Sequence, residues 1–216
     1  MSEKQEIILD AIFDAVLEGD IPGAPGLVQQ ALDAGLAPET ILNDGMIAAM
    51  AEVGARYECG DIYVAEMFIS AKTLQGALNV LRPHLRSANV QAKGKVLVGT
   101  VKGDMHDIGK NLVAMMLEGA GFDVQDLGSD VHPSKFVDAV NTSQPDLIAL
   151  SALLTTTMPS MKSTIDALAA AGLRDRVKVI VGGAPVNQEY ADAIGADGYA
   201  QDASQAAALA KSLIGL

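Results

Sequence analysis

At Lys95 the chain changes rhythm. Before it, apolar residues recur at helical spacing; after it, short apolar runs alternate with helix-sized segments. The runs fall at 95–100, 122–128, 146–151, 177–182 and 197–200. Strand alternating with helix implies an α/β fold, a parallel sheet with helices on both faces. Right-handed crossovers leave few strand orders. Five strands favour the flavodoxin-like, Rossmann-like order 2-1-3-4-5, whose ligand crevice lies between the carboxyl ends of strands 1 and 3.

The first ninety residues predict a four-helix bundle. Leu9, Ile12, Phe13, Val16 and Leu17 form one helical face that ends near Gly19. A second helix carries Leu27, Val28, Ala31 and Leu32 and stops at Gly35. Pro38 opens a third, striped by Leu42, Met46, Ala49, Met50 and Val53. After Cys59-Gly60-Asp61 a fourth carries Met67, Ala71, Leu74, Leu78 and Leu81. Residues 86–94 lack a stripe and read as a linker. The expected division is a helical domain over 1–88 and an α/β domain over 89–216.

Half of the 216 residues are hydrophobic and 19% are charged, a composition that buries a core. A net charge of −12 repels phosphate backbones, and 4% aromatics leave little for base stacking, so nucleic acid is excluded as a direct partner. The single cysteine, Cys59, rules out an internal disulfide. The acidic start does not resemble a signal peptide, and no apolar run is long enough to span a bilayer. The expectation is a cytoplasmic protein without a membrane partner.

Three motifs fall at the carboxyl ends of the predicted strands. After strand 1 comes Gly103-Asp104-Met105-His106-Asp107-Ile108-Gly109-Lys110-Asn111. A P-loop reading fails there: the first glycine is one position early and Asn111 stands where Ser or Thr is required. In Asp104-x-His106 a carboxylate can fix the tautomer of a metal-binding imidazole. The same residues also read as a solvated loop. Gly109 is expected to let the chain turn into the following helix. One histidine cannot hold a bare cation, but it can be an axial ligand to a metal held by a macrocycle. Strand 3 ends at Ser151-Ala152-Leu153-Leu154-Thr155-Thr156-Thr157, hydroxyls that could meet a ligand or simply cap the strand. Strand 4 ends at Gly182-Gly183, open either to a flat ligand or to a plain turn.

Together, Asp104-x-His106-x-x-Gly109, Ser151-x-Leu153 and Gly182-Gly183 resemble the signature of the B12-binding family. The helical first half resembles the cap that precedes this module in methionine synthase and in free-standing corrinoid proteins of methyltransferase systems. The resemblance runs from about residue 5 to 214.

It implies cobalamin or a related corrinoid as cofactor, methylcobalamin when loaded, with His106 as the lower axial ligand of cobalt. Asp104 and Thr157 would complete a ligand triad; Thr157 replaces the serine of methionine synthase, keeping the hydroxyl and adding a methyl. Gly103, Met105, Asp107, Ile108 and Gly109 would lie under the corrinoid. Ser151, Leu153, Thr155, Gly182 and Gly183 would line the channel for the nucleotide tail, with Tyr199 and Ala203 helping to close it. Gly182→Val or Gly183→Val should then block the cofactor while the apo fold survives. Ile62, Tyr63, Val64 and Met67 would cap the upper face of cobalt. The implied function is a methyl carrier between a substrate methyltransferase and a second methyltransferase acting on a thiol or folate, with a reductive activation protein as a further partner. A B12-dependent regulator and the B12 subunit of an adenosylcobalamin mutase are the alternatives. His84 and His132 are expected at the surface and at a helix start.

Overall fold

The structure is a computed structural model that describes residues 2–88 and 90–215; Asn89, in the expected linker, lies outside the described residues. Two compact units divide the chain. One is Met1–Ala92 with Glu118–Gly121, and the other is Lys93–Leu117 with Phe122–Leu216.

In the helical unit, α1 (Glu3–Glu18) opens on a capping box between Ser2 and Gln5 and stops at Gly19, whose φ of 79° a side chain would resist. It is followed by α2 (Ala24–Asp33). The helix that Pro38 opens is not uniform. A short α3 (Pro38–Thr40) passes into a π-helical stretch, Ile41–Ile47, and continues as α4 (Ala48–Cys59). The wider turn leaves Ile41 and Gly45 buried and Leu42 half-buried, while Met46, Ala49, Met50 and Val53 are buried as the expected stripe has them. A Cβ on Gly45 would stand 3.2 Å from both Leu9 and Ile12 of α1, which explains the small residue. The last helix, α5 (Val64–Ser87), carries Pro83 inside it and runs into the stretch expected to be linker. His84 is exposed, as is Cys59 at the end of α4.

The second unit alternates β1 (Lys95–Thr100), α6 (Ile108–Gly119), β2 (Asp123–Asp126), α7 (Pro133–Ser143), β3 (Leu147–Ser151), α8 (Pro159–Ala170), β4 (Lys178–Gly182), α9 (Gln188–Ile194), β5 (Gly198–Tyr199) and α10 (Ala203–Leu213). The sheet order is β2-β1-β3-β4-β5 and every pairing is parallel. On one face Leu97, Val101, Ile148, Leu150, Val179 and Val181 pack against Phe136, Met161 and Ile194 of α7, α8 and α9. On the other, Leu209 of α10 sits over Gly198. Residues paired in one face-to-face row are covered on both sides, which is why these strands read as continuous apolar runs.

Register brings the three motifs together. Thr100 pairs with Ser151, and Ser151 pairs with Gly182. The carboxyl ends of β1, β3 and β4 therefore form one row, from which the loops after them emerge side by side.

Candidate corrinoid site

The loop after β1 is built by turns and borrowed hydrogen bonds. Gly103 takes φ +85°, and its amide donates to Asp130 Oδ1 at 2.7 Å. Asp130 itself stands at φ 51°, a conformation that aspartate tolerates better than most residues, and its amide donates to the Asp104 carbonyl at 2.9 Å. Thr100, buried at the end of β1, donates its hydroxyl proton to the His106 carbonyl at 2.8 Å. The backbone around His106 is thus held from both sides.

Asp104 is the centre of the site. Its side chain is 0% exposed. Oδ1 accepts from the His106 ring Nδ1 at 2.7 Å and from the His106 amide at 3.1 Å. Oδ2 accepts from Thr157 Oγ1 at 2.6 Å and from the amides of Leu153 and Leu154 at 2.7 and 3.3 Å. Burial by itself raises the pKa of this carboxyl. The bonds from Thr157, the His106 ring, the Leu153 amide and the His106 amide more than offset it and hold the group well below the usual carboxylate range. Asp104 is therefore an anion that only accepts, so Nδ1 of His106 must carry the proton that joins them. The ring nitrogen left to meet a ligand is then Nε2. The ring is 51% exposed, and that nitrogen is available to a metal.

The structure resolves what the extra methyl of Thr157 does. The residue is buried, its hydroxyl reaches Asp104, and its methyl lies against Gly103, where a Cβ would meet it at 3.6 Å. The methyl leaves the hydroxyl free to reach Asp104.

Around His106 stand apolar side chains that a free-standing surface would not expose: Met105 at 71%, Ile108 at 80%, with Leu153 and Leu154 also exposed. Among the described residues no cluster of three or more His, Cys, Asp or Glu side chains could hold a metal ion. A lone imidazole set among exposed apolar side chains fits a corrinoid, whose ring carries the remaining ligands of its metal.

The other expected residues are placed as follows. Asp107 and Thr155 are exposed, Ser151 is half-buried, Tyr199 is half-buried against the core of the sheet unit, and Ala203 is buried at the start of α10. Within the helical unit Tyr63 and Val64 are exposed and Ile62 is half-buried, but Met67 turns into the helical core. His132 caps α7, its Nδ1 accepting from the Ser134 amide.

Two expectations about glycines are corrected. Gly109 does not make the turn: it is the second residue of α6, and Gly103 takes the positive φ instead. A Cβ on Gly109 would meet nothing within 4 Å, so its surface is open. Gly182 and Gly183 are required by the fold itself. A Cβ on Gly183 would lie 1.9 Å from the Ala152 carbonyl oxygen at φ +133°, and one on Gly182 would lie 2.9 Å from the Ala200 carbonyl oxygen. Valine at Gly183 cannot leave the apo fold intact.

Four contributors escaped the sequence: Thr100, Asp130, the Leu154 amide, and the pairing of Lys110 with Asp126. Asp130, in a Gly-Ser-Asp turn, carried a weak turn signal; the others carried none. Lys110 is buried in this ion pair.

Comparison with known proteins decides the family. A family model described as B12 binding domain matches residues 94–208, and a second with the same description matches residues 8–82. The chain belongs to the B12-binding family of corrinoid proteins. It is 39% identical over 216 residues to trimethylamine corrinoid protein 1 of Methanosarcina acetivorans, covering 99% of this chain and 100% of that one. With dimethylamine corrinoid protein 1 of the same organism it shares 43% over 180 residues, 83% of this chain and 84% of the other. Among solved structures it is similar to the methanol:cobalamin methyltransferase complex MtaBC from Methanosarcina barkeri, with a TM-score of 0.85, 29% identity, and 96% and 80% coverage of the two chains. A cobalamin-binding protein from Desulfitobacterium hafniense DCB-2 gives 0.76 and 32%, covering 95% and 98%. The family's cofactor is the one that the His106 geometry fits.

Proposed function

We propose that this chain is a corrinoid methyl carrier that accepts a methyl group from a cognate methylamine:corrinoid methyltransferase and delivers it to a second methyltransferase with a thiol or folate acceptor. The donor class rests on full-length relatives named for trimethylamine and dimethylamine. When bound, the corrinoid supplies a cobalt centre that takes up and releases methyl groups. The chain's own residues do the rest. His106 would hold the cobalt through Nε2, while Asp104 holds the imidazole by Nδ1 at 2.7 Å and Thr157 holds Asp104. Gly103, Met105, Asp107, Ile108 and Gly109 would bed the corrinoid, and Ser151, Leu153, Thr155, Tyr199 and Ala203 would border its nucleotide tail. The exposed start of α5 supports a cap role for Ile62, Tyr63 and Val64. Met67, being core, would support them from beneath.

The observation that carries this reading is the half-exposed imidazole fixed by a buried carboxylate amid exposed apolar side chains. A reductive activation protein would be a further partner. No helix among the described residues is long and apolar enough to cross a membrane, and the proposal places the carrier in the cytoplasm.

The test is spectroscopic. Anaerobically purified holoprotein in the cobalt(II) state should show nitrogen hyperfine coupling in its electron paramagnetic resonance spectrum, and His106→Ala should lose it while still binding corrinoid. Coupling that persists in His106→Ala would remove His106 as ligand. Incubation with methylamines, methanol and candidate methyltransferases identifies the donor; no methylation from any methylamine would refute that class.

A further inference from the structure

Lys110 lies in the first turn of α6 with its side chain 2% exposed. Its ammonium pairs with the Asp126 carboxylate at the end of β2, and among the described residues no other side chain or carbonyl is bonded to it. Such a pair is a poor stability device. Desolvating an ammonium costs about as much as one carboxylate returns, and an apolar side chain of the same volume would pack as well. What the pair does supply is a fixed direction.

That direction leads to His106. The second oxygen of Asp126 accepts from the Gly128 amide at 2.8 Å. The Gly128 carbonyl accepts from the Thr100 amide at 3.0 Å, and the Thr100 hydroxyl donates to the His106 carbonyl at 2.8 Å. On the far side of the loop the Asn111 amide donates to the Asp107 carbonyl at 2.7 Å, closing the start of the helix that Lys110 anchors. The segment 101–107 is therefore fastened at both ends to the end of β2. This matters because the His106 ring is half-exposed and, among the described residues, its side chain is hydrogen-bonded to Asp104 alone. Its aim depends on where the backbone is held.

We propose that Lys110 and Asp126 form a positioning pair that fixes the backbone of the His106 loop, so that the imidazole stays aimed at the metal whether or not it is bound. The pair acts through the loop and touches no substrate. The inference rests on the reading of His106 as lower ligand.

The test uses full-length holoprotein in the cobalt(II) state, comparing wild type with Lys110→Met, Asp126→Asn and His106→Ala. The readout is the ratio of nitrogen-coupled to uncoupled cobalt(II) signal, with apo melting temperature measured alongside. Lys110→Met should melt within a few degrees of wild type yet raise the uncoupled share several-fold. Asp126→Asn, which keeps an acceptor for Gly128, should move it in the same direction by less. Should Lys110→Met fail to fold, Asp126→Asn carries the test, since that side chain is 41% exposed and tolerates change. Wild-type ratios in the folded variants, with coupling lost only in His106→Ala, would overturn the pair's role alone. Absence of coupling in wild type itself would overturn the His106 reading, and the pair's role with it.

Discussion

The Asp104 carboxylate is an unusual group to bury, and its surroundings make its charge affordable. The carboxyl pKa is lower in the folded chain than the ordinary value near 3.9. A group depressed on folding stabilises the fold above its unfolded pKa, and that contribution is lost as pH falls toward the folded value. Apo protein should therefore lose stability through the acid range below about pH 4, followed by urea unfolding at stepped pH. Thr157→Val keeps a methyl over Gly103 but removes the 2.6 Å bond to Asp104. It should cost about 1.5–3 kcal/mol at neutral pH and flatten the acid limb; an unchanged limb would assign the depression to other partners. Asp130→Ala should loosen the Gly103 amide, whereas Asp130→Asn keeps both an acceptor and a residue that tolerates positive φ. Apo melting curves would distinguish them.

Among the elements, β1 shows how one small residue admits a large one. A Cβ on Gly99 would stand 2.7 Å from the Phe136 ring of α7. That ring is fully buried and is the bulkiest contribution of α7 to the core. Gly99→Ala should cost about 1–3 kcal/mol by overpacking, and Phe136→Leu should relieve part of the loss in the double variant. Additive losses in denaturant titrations would show that the two sites do not meet. At the end of β4 the same logic is harsher. Gly183→Ala places a Cβ against backbone at a forbidden φ, and should cost roughly 3 kcal/mol or more, seen as loss of soluble apo protein. Soluble Gly183→Ala with normal apo stability would contradict the 1.9 Å approach to Ala152.

For the molecule as a whole, the fragment 93–216 holds all of the sheet unit, with only Glu118–Gly121 grouped with the helical one, and is expected to fold without residues 1–92. The fragment holds the whole sheet, its core, and the Asp104, His106 and Thr157 constellation. It should unfold in one cooperative urea transition and still bind corrinoid. A folded fragment unable to bind would make the helical unit part of what retains the cofactor. The expected fold class and strand order match the structure, since hydrophobic period is written locally and right-handed crossovers leave few orders. The boundaries did not follow as well: β2 and β5 are shorter than their apolar runs, and α5 passes through Pro83 into the expected linker.

Period, caps and three short motifs were enough to place a helical half before a parallel sheet and to single out Asp104, His106, Ser151 and Gly182-Gly183. These are local signals, carried by residues within a few positions of one another. Tertiary structure decided what those residues do. Asp104 is held charged by partners 49 to 53 positions away as well as by His106 beside it. Gly183 is glycine because the Ala152 backbone of the neighbouring strand's end presses on it. Lys110 is buried because β2 ends beside it in a carboxylate. No pattern along the chain records which backbone will arrive against which side chain; strand order and register set it, and with it the chemistry of the site.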